Sequence, residues 1–324
     1  MIPSFYVSVK GDDYTKEIND RLVEFRIADI AGYKSDYFEV TLDDRDSMPR
    51  PAHGASIEVQ IGYEGQELVD KGKFTHHETI FEGPPQRMTV RAAAVNFRDT
   101  LKSQRTRSFD NVTLGDLVAA VASEHNYDSF VDEFLKDITI PHIDQTDESD
   151  LLFLTRLSTQ YGATFKASAG LLVFFMSGGK KSDQLREALG SVTLKPEDVS
   201  TWSIAERDTG RVTAVTAKWH DYDAAATKTI KVGAGDIIRA ISKTFPTEAE
   251  AYHAAQSKLD RLLRLTVSVS ITLPGRPELI AEGGLVLEEF RDGVDNDYVI
   301  DRVDHIITKS GGYKTKIEAS LDKK

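Results

Sequence analysis

Three consecutive side chains, His76, His77 and Glu78, have the donor types of a metal site. A zinc site on a helix needs two histidines four residues apart, so that both imidazoles lie on one face. Here the histidines are adjacent in a segment that alternates like a strand, and neighbouring strand residues point to opposite faces of a sheet. The spacing therefore predicts a pair of structural surface histidines and no metal ligand.

Two acidic runs, Asp43 to Asp46 and Asp292 to Asp297, carry enough carboxylates to attract calcium. A calcium-binding loop places a glycine at its sixth position and a glutamate at its distal end, and neither run has that order. The first run also separates two strand-like segments. We therefore predict that both runs are turns.

Two neighbouring pairs, His142 with Asp144 and His220 with Asp221, have the side chains of acid–base catalysis. A catalytic site of that kind also needs a nucleophile within reach of the base, and the sequence around neither pair identifies one. Neither pair is therefore predicted to be catalytic.

The glycine-rich stretch at Gly179 and Lys180 does not fit a phosphate-binding loop. A P-loop ending there would need glycine at position 174 and serine or threonine at position 181, where the chain has Phe174 and Lys181. We interpret this stretch as a surface loop. The chain is predicted not to be an enzyme, and no catalytic, cofactor-binding or metal-binding residue is predicted.

The charge balance disfavours nucleic-acid binding. The 324 residues include 40 Lys and Arg against 52 Asp and Glu, a formal net charge of -12, whereas phosphate binding needs a positive surface. Four basic residues do cluster, and we interpret them as a solvated or subunit-facing edge; they are Arg98, Lys102, Arg105 and Arg107. No specific nucleic-acid binding is predicted, although an acidic surface suits a conduit for DNA because like charges repel.

The chain has no cysteine, which excludes disulfide scaffolds, thiol nucleophiles and cysteine metal clusters. This composition is compatible with assembly in a reducing cytoplasm. No run of about 18 apolar residues occurs, and the amino terminus lacks the features of a signal peptide. Membrane insertion is therefore not predicted.

The segment from Asp144 to Phe175 predicts a helix laid on a hairpin. Thr146 is the predicted N-cap, and acidic residues follow it in the first turn, where the helix dipole favours negative charge. Gly162 can adopt the positive φ that ends a helix, which gives about four turns. Alternation then resumes on both sides of a turn at Ser168 to Gly170. The predicted buried face of the helix consists of Leu151, Leu154, Leu157 and Tyr161.

Two further helices are indicated by capping boxes. Thr113 with Asp116 begins a predicted helix that ends near His125, and Thr247 with Glu250 begins a long one near 248–264. A short helix is predicted at 131–136. Much of the remaining chain alternates with period two between turn residues, which predicts strands.

The two strand-rich ends of the chain share a pattern. Each has a strand that ends in Thr-Leu, a loop to a glycine, two more strands, a glycine turn and a last strand. This agreement predicts an internal repeat, although β-meanders share turn chemistry and could agree by coincidence. The matched segments are Phe38–Leu42, Ile57–Ile61, Phe74–Ile80 and Met88–Ala92 in the first half, and Val269–Leu273, Leu285–Phe290, Tyr298–Ile307 and Thr315–Ala319 in the second.

The predicted fold class is α+β and mostly β. Residues 1–97 are predicted to form a first β-barrel, and residues 98–196 an inserted α/β domain built on the helix and hairpin. Residues 197–324 are predicted to form a second, related barrel that includes the long helix.

Several ordered motifs resemble the phage late control D protein family, the baseplate hubs of contractile tails. They cover nearly the whole chain in the same order, which makes the resemblance more specific than any one of them. The motifs are Gln145–Leu151, Phe153–Leu157, Tyr161-Gly162, Trp219–Asp221, Leu273–Leu279, Val299–His305 and Ser310–Tyr313.

The resemblance implies barrels related to the tail-tube protein and a homotrimer that joins a hexameric tail tube to a trimeric central spike. Other baseplate proteins would be further partners, and the location would be the baseplate of a virion or tail particle assembled in the bacterial host cytoplasm. A complete phage and a phage-tail-like bacteriocin remain open. The alternatives are the hub of a type VI-like secretion or toxin-delivery particle and, less favoured, a cell-wall-degrading tail enzyme. Because the chain stops at Lys324 without needle repeats, we expect the spike to be a separate polypeptide.

Overall fold

The computed structural model describes residues 1–32, 35–94, 100–168, 171–176, 189–206, 212–222, 224–264 and 267–322. The described chain is mostly β, with five α-helices and two short 3₁₀ helices placed among its strands. Hydrophobic residues form four buried clusters, each drawn mainly from one stretch of sequence.

The amino-terminal stretch is an antiparallel sheet with one short helix. Its strands are ordered β3-β4-β7-β6-β5-β1-β2. Alternation places Phe38, Val40 and Leu42 in the core while the residues between them are half-buried, as a one-sided sheet requires. The elements are β1 (Pro3–Val9), β2 (Asp12–Asp13), α1 (Thr15–Arg21), β3 (Leu22–Ile30), β4 (Tyr37–Asp43), β5 (Ser56–Tyr63), β6 (Val69–Glu82) and β7 (Arg87–Ala93).

The middle stretch packs three helices against two small sheets, one of β8 and β10 and one ordered β11-β12-β9. Phe153, Leu154 and Leu157 of α4 and residues of α2 share one fully buried cluster with Phe165 and Phe174 of the hairpin below. The predicted helix on a hairpin is therefore present. The elements are β8 (Gln104–Thr113), α2 (Leu114–Glu124), β9 (Asp128–Val131), α3 (Glu133–Lys136), β10 (Thr139–Ser149), α4 (Asp150–Tyr161), β11 (Ala163–Ser168) and β12 (Leu171–Met176).

The start of α4 differs from the prediction. Ser149, not Thr146, is the N-cap, and its hydroxyl accepts a hydrogen bond from the amide of Leu152. Thr146 lies within β10, because residues on both sides of it pair with β8. The helix consequently has 12 residues, fewer than the predicted four turns, while its end at Gly162 with φ 68° is confirmed. Of the predicted acidic first turn, Asp150 alone lies in the helix and Asp147 and Glu148 belong to β10.

The other predicted caps are mostly confirmed. Thr113 caps α2 by accepting a hydrogen bond from the amide of Asp116, and Thr247 accepts one from Glu250 at the start of α5 (Glu248–Arg264). The short helix begins two residues later than predicted, since residue 131 ends β9 and Asp132 caps α3. None of the described helices is both long and apolar enough to cross a membrane.

The carboxy-terminal stretch has two parts. One is a three-stranded sheet, ordered β16-β15-β17, with α5 packed on one face around Ala251, Ala255 and Leu259. The other is a larger sheet in which β14, β18, β21 and β20 are neighbours and β19 joins β20 to β13. The strands are β13 (Ser191–Leu194), β14 (Thr201–Glu206), β15 (Ala214–Asp221), β16 (Ala226–Gly233), β17 (Ile238–Phe245), β18 (Val267–Pro274), β19 (Gly284–Leu287), β20 (Asp297–Thr308) and β21 (Gly312–Leu321).

The two large sheets repeat one another strand for strand. The first contains β3-β4-β7-β6-β5-β1 and the second β14-β18-β21-β20-β19-β13, so each predicted repeat segment occupies the matching place. Even a β-bulge recurs, since β6 shifts register between His76 and Glu78 and β20 shifts between Ile300 and Arg302. The repeats differ at one end, where β1 is antiparallel to β5 but β13 is parallel to β19.

Closed barrels, which the sequence analysis predicted, are not found in the described residues. No pair there joins β1 to β3 or β13 to β14. The outer edge of β3 instead pairs with β20, and this pairing merges the two repeats into one 13-stranded sheet. The β3 edge that could have closed the first repeat on itself is thus used to join the two repeats.

Candidate functional site: the sheet junction and its surroundings

The two repeats meet where β3 pairs antiparallel with β20, from Arg302 opposite Ile30 to Ile307 opposite Phe25. This part of β20 is available because β19 pairs only with its first residues, up to Val299. Ile307 and Tyr313 of the second repeat lie in the hydrophobic cluster of the first. The junction therefore includes apolar packing as well as backbone hydrogen bonds.

A buried carboxylate links the strands on the other face of the junction. Asp304 of β20, 2% exposed, accepts hydrogen bonds from Arg26 Nε of β3 at 3.0 Å and from Arg302 Nε at 2.7 Å. Arg302 Nη2 also donates to the hydroxyl of Tyr37 at 2.6 Å. The hydrogen bond with Asp304 raises the pKa of Arg302 above its usual value, so the guanidinium stays charged. Two cations around one carboxylate supply the partners that a buried charge requires.

Lys166 of β11 connects the middle stretch to the same junction. Its ammonium lies 2.5 Å from Asp29 Oδ1 and 3.1 Å from Asp36 Oδ2, and all three side chains are less than a fifth exposed. The second oxygen of Asp29 accepts a hydrogen bond from the amide of Ala281, at 2.9 Å. One ion-pair cluster therefore joins the first repeat, the middle stretch and the second repeat.

Burial and charge set the protonation of this cluster. Burial is the main cause that raises the pKa of Asp36 to about 7, and the neighbouring Asp29 carboxylate adds to it. Burial opposes ionisation of Asp29 as well, but Lys166 outweighs it and lowers the pKa of Asp29. Burial would lower the pKa of Lys166, yet the two carboxylates raise it. The ammonium and the Asp29 carboxylate thus form the stable pair, and Asp36 titrates near neutrality.

His305 is a second buried polar group at the junction. Its Nε2 lies 3.2 Å from the carbonyl of Leu279 and so donates, while its Nδ1 accepts from the hydroxyl of Tyr313 at 2.8 Å. Burial lowers the pKa of His305 to about 3, so the ring is neutral. Lys71 donates to the same carbonyl at 3.2 Å, and burial lowers its pKa to about 8.

The middle stretch has its own buried carboxylate, Asp150. It accepts from Arg107 Nη2 at 2.6 Å, His125 Nε2 at 2.7 Å and Gln145 Nε2 at 2.8 Å. Burial opposes ionisation of Asp150, but these hydrogen bonds and the nearby guanidiniums lower its pKa. The network fixes the start of α4 against β8 and β10.

Oxygen and nitrogen atoms of Glu124, His125 and Asp150 come within 4.8 Å of one another, close enough to hold a metal ion. Two guanidiniums already occupy this space, because Arg105 and Arg107 both pair with Glu124 and Asp150. Their positive charges compete with a cation for the same oxygens. The cluster therefore does not fit a metal site.

These contacts alter the interpretation of the basic cluster. Arg105 and Arg107 are 34% and 21% exposed and pair within the chain, so carboxylates of the same chain balance their charges; the solvated or subunit-facing edge stays a prediction. Lys102 is half-buried and Arg98 lies outside the described residues.

The histidine pair occupies the predicted strand, but His76 is not on the surface. It is 1% exposed, with Nδ1 3.1 Å from the carbonyl of Ala52 and Nε2 3.0 Å from that of Glu78. His53 stacks on its ring at 5.1 Å. Burial lowers the pKa of His76, so the ring packs as a neutral side chain. His77, one residue along, is half-buried.

The acidic runs form turns, as predicted. Asp44 Oδ1 accepts from the amide of Met48 at 2.7 Å, and Asp295 Oδ1 accepts from that of Phe290 at 2.9 Å. These side chains close their own loops.

The two histidine–aspartate pairs differ in whether their members contact each other. His142 stands between Asp110 and Asp144, 2.5 Å and 3.3 Å away, on an exposed part of β10. The ring of His220 packs on Tyr222, while Asp221 pairs with Lys228 at 2.6 Å. The stretch around Gly179 and Lys180 lies outside the described residues.

Sequence reasoning missed the residues of the junction. Lys166 and Asp29 are 137 positions apart and Arg26 and Asp304 are 278 apart, so no local pattern relates them. The one available signal was the presence of single charged residues within apolar alternating strands, which indicates a buried partner.

These features define a class: an α+β, mostly β protein with a duplicated sheet merged across a buried, charged junction. The chain belongs to the phage tail baseplate hub family, whose profile matches residues 35–311. It is 31% identical to a probable baseplate hub protein of Escherichia phage 186, over 99% of this chain and 93% of that protein. Proteins of this family are components of the phage tail.

Solved structures share the fold. The tail protein from Neisseria meningitidis MC58 superposes with a TM-score of 0.74 at 14% identity, covering 99% of this chain and 97% of that one. A type VI secretion component of E. coli, described as similar to T4 tail proteins gp27 and gp5, gives a TM-score of 0.56 at 12% identity. It covers 94% of this chain and 74% of that one.

Proposed function

We propose that this hub protein works as a homotrimeric adaptor between the hexameric tail tube and the trimeric central spike. The observation that carries the proposal is the duplication of the sheet. Two repeats with the same strand order and the same bulge give each chain two nearly equivalent surfaces. Three chains in a closed ring would then present six similar sheets.

A ring of this kind resolves a symmetry mismatch. The six sheets would meet a sixfold tube, whereas the parts of the chain that occur once would meet a threefold partner. The middle stretch and the β16-β15-β17 sheet with α5 each occur once per chain in the described residues. They are the candidates for contacts that follow threefold symmetry, including those with the spike and other baseplate proteins.

The buried junction supports a mechanical role. A shared apolar core and two charged clusters connect the repeats and the middle stretch, so a load on one part is passed to the others. Such a chain suits a part that starts tube assembly and carries the spike when the sheath contracts. The role is structural, with no catalytic step, and its place is the tail baseplate assembled in the host cytoplasm.

One observation favours a second candidate, the hub of a type VI-like secretion particle. The fold is shared with the E. coli secretion component, although this chain covers only 74% of it. The Neisseria tail protein is covered almost completely and superposes better. The phage tail is therefore the preferred setting, and a complete phage and a headless tail particle both fit.

The proposal is tested by measuring the mass of the purified protein in solution, alone and with the spike protein of the same particle. Light scattering after gel filtration should give three chain masses of 36.0 kDa in at least the mixed sample. A protein that stays monomeric both alone and with the spike would overturn the trimer.

A further inference from the structure

We infer that neighbouring protomers join edge to edge, with β14 of one copy added as an antiparallel strand to the outer edge of β6 in the next copy. This inference rests on the proposed trimer and names the surface that holds it together. The template is the junction inside the chain, where β3 pairs with β20 in the same way.

The strands correspond by position in the repeat. β3 lies on β4 with Phe25 opposite Val40, and β14 lies on β18 with Trp202 opposite Ile271. β6 and β20 each lie beside the last strand of their repeat and each carry the shared bulge. β14 is therefore the equivalent of β3, and β6 is the equivalent of β20.

Both proposed edges are open. β5 pairs with β6 only as far as Thr75, and β7 covers the other side of residues 75–82. Within the described residues no strand lies against the remaining side of Glu78 to Glu82. Among the described strands, β14 likewise pairs only with β18, so its other edge is open. Open strand edges present unpaired backbone donors and acceptors and readily accept another strand.

Equivalent side chains of β6 and β20 differ in their exposed fraction. Phe81 of β6 lies opposite the buried Met88 yet is 54% exposed, whereas His305, in the same place on β20, is 0% exposed. β3 lies across β20, with Ile27 opposite His305, and Leu279 and Tyr313 also contact the ring, whereas nothing described lies across that end of β6.

The partner strand behaves in the same way. Trp202 of β14 lies opposite the buried Ile271 yet is 43% exposed, and its equivalent Phe25 on β3 is 0% exposed. Each repeat thus leaves one aromatic side chain on its core-facing side about half exposed, on the two edges that would meet, although the edge of one ring in the Trp202–Phe290 pair already meets the face of the other. Pairing of those edges would bury both rings, and aromatic burial contributes strongly at interfaces.

The internal junction also gives the register. Val303, His305 and Ile306 lie opposite Asp29, Ile27 and Arg26. Transferring these pairs through the repeat predicts three contacts between copies: Thr79 with Glu206, Phe81 with Ile204 and Glu82 with Ser203.

The geometry suits a ring. An interface between two different edges is head-to-tail, and such interfaces close into rings when the rotation permits. Junctions within and between chains would alternate, six in all around three chains. The charged pair is not repeated, because Ser203 and Ile80 stand where the internal junction has Arg26 and Asp304. The contact between copies therefore lacks the buried ion pair that links the strands within the chain.

Cysteine cross-linking tests the register directly, since the natural chain has no cysteine. Directly opposed strand residues have Cα atoms about 4.5–5.5 Å apart, within the range of a disulfide. The double variant Phe81→Cys with Ile204→Cys, oxidised in the presence of the spike protein, should give a covalent trimer on a non-reducing gel. A reducing agent should return it to monomer.

The matched control is Phe81→Cys with Ala205→Cys, because residue 205 points to the opposite face of the strand. It should form the same trimer in solution but remain monomeric on the gel. Thr79→Cys with Glu206→Cys is a second test pair in the same register, should the first variant fold poorly.

The outcomes separate the two proposals. Trimers by light scattering in which neither test pair cross-links more than the control overturn the edge pairing and leave the trimeric adaptor standing. Variants and natural protein that all remain monomeric with the spike overturn both.

Discussion

Arg26 and Asp304 meet across the line where the two sheets join, with Nε and Oδ1 3.0 Å apart, although 278 positions separate them in the chain. Arg302 approaches the same carboxylate from its own strand. A buried carboxylate is tolerated only with such partners, so the junction depends on this specific ion pairing. The repeats are consequently expected to respond as one body.

Replacing Asp304 with alanine should destabilise the protein strongly. The change leaves Arg26 and Arg302 without their partner, and removing one member of a buried pair costs about 3–5 kcal/mol. Urea unfolding measures the loss. The control is Glu318→Ala, which breaks an exposed pair with Lys316 and should cost less than about 1 kcal/mol. Equal effects of the two changes would contradict the role assigned to the junction.

Replacing Lys166 with methionine should also destabilise the fold, and more at pH 8 than at pH 5. Without the ammonium, Asp29 and Asp36 face one another as buried carboxylates, and protonation at lower pH relieves their repulsion. Thermal unfolding at the two pH values gives the comparison. Lys195→Met, which removes an exposed pair with Glu289, should show little loss at either pH. A pH-independent penalty for Lys166→Met would argue against the cluster.

Asp36 should impose a pH dependence on stability. Its usual pKa of 3.8 is raised to about 7 in the fold, so the folded state binds the proton more tightly than the unfolded chain does. The protonated Asp36 therefore adds to the free energy of unfolding. This addition is fully present below about pH 4 and is lost as the pH rises towards 7, by up to about 1.4 kcal/mol per pH unit. Because the pKa of Asp29 is lowered from 3.8, titration of Asp29 changes the stability only below about pH 3.8, outside this window.

The variant Asp36→Asn isolates that contribution, because the amide does not titrate. Its stability should fall less between pH 4 and 7 than that of the natural protein, as measured by urea unfolding across the range. Parallel curves for the two proteins would show that Asp36 titrates normally.

Metal ions should not stabilise the cluster of Glu124, His125 and Asp150. Arg105 and Arg107 occupy its oxygens, so added zinc or magnesium should leave Tm unchanged, as should EDTA. Binding to the folded state would instead raise Tm with metal concentration. A zinc-dependent rise in Tm that disappears in His125→Gln would refute the assignment of this cluster as an internal ion-pair network.

The parts of the fold that could be predicted are those controlled by neighbouring residues. Gly162 ends α4 with φ 68°, and Thr113 and Thr247 cap their helices as expected. A cap depends on hydrogen bonds within about four residues, and strand alternation is equally local. The order of the repeated strands could also be read, because both copies carry the same sequence of strands and turns.

The parts that could not be predicted depend on distant segments. Thr146 has a side chain that can cap a helix. Residues on both sides of it pair instead with β8, some forty positions earlier, so this segment forms a strand and the helix begins later. The choice between closing the first barrel and joining the two sheets is likewise made by the pairing of β3 with β20, which local patterns do not relate. Lys166 looks like an ordinary strand lysine until two remote carboxylates surround it.

The central claim is that three copies place six equivalent sheets around one axis. Electron cryo-microscopy of the hub bound to its spike, reconstructed without imposed symmetry, measures this directly. We expect three copies with their two sheets at the same radius, giving near-sixfold symmetry at the tube-facing end and threefold symmetry at the other. A different number of copies, or two sheets of each chain at different radii, would contradict the account.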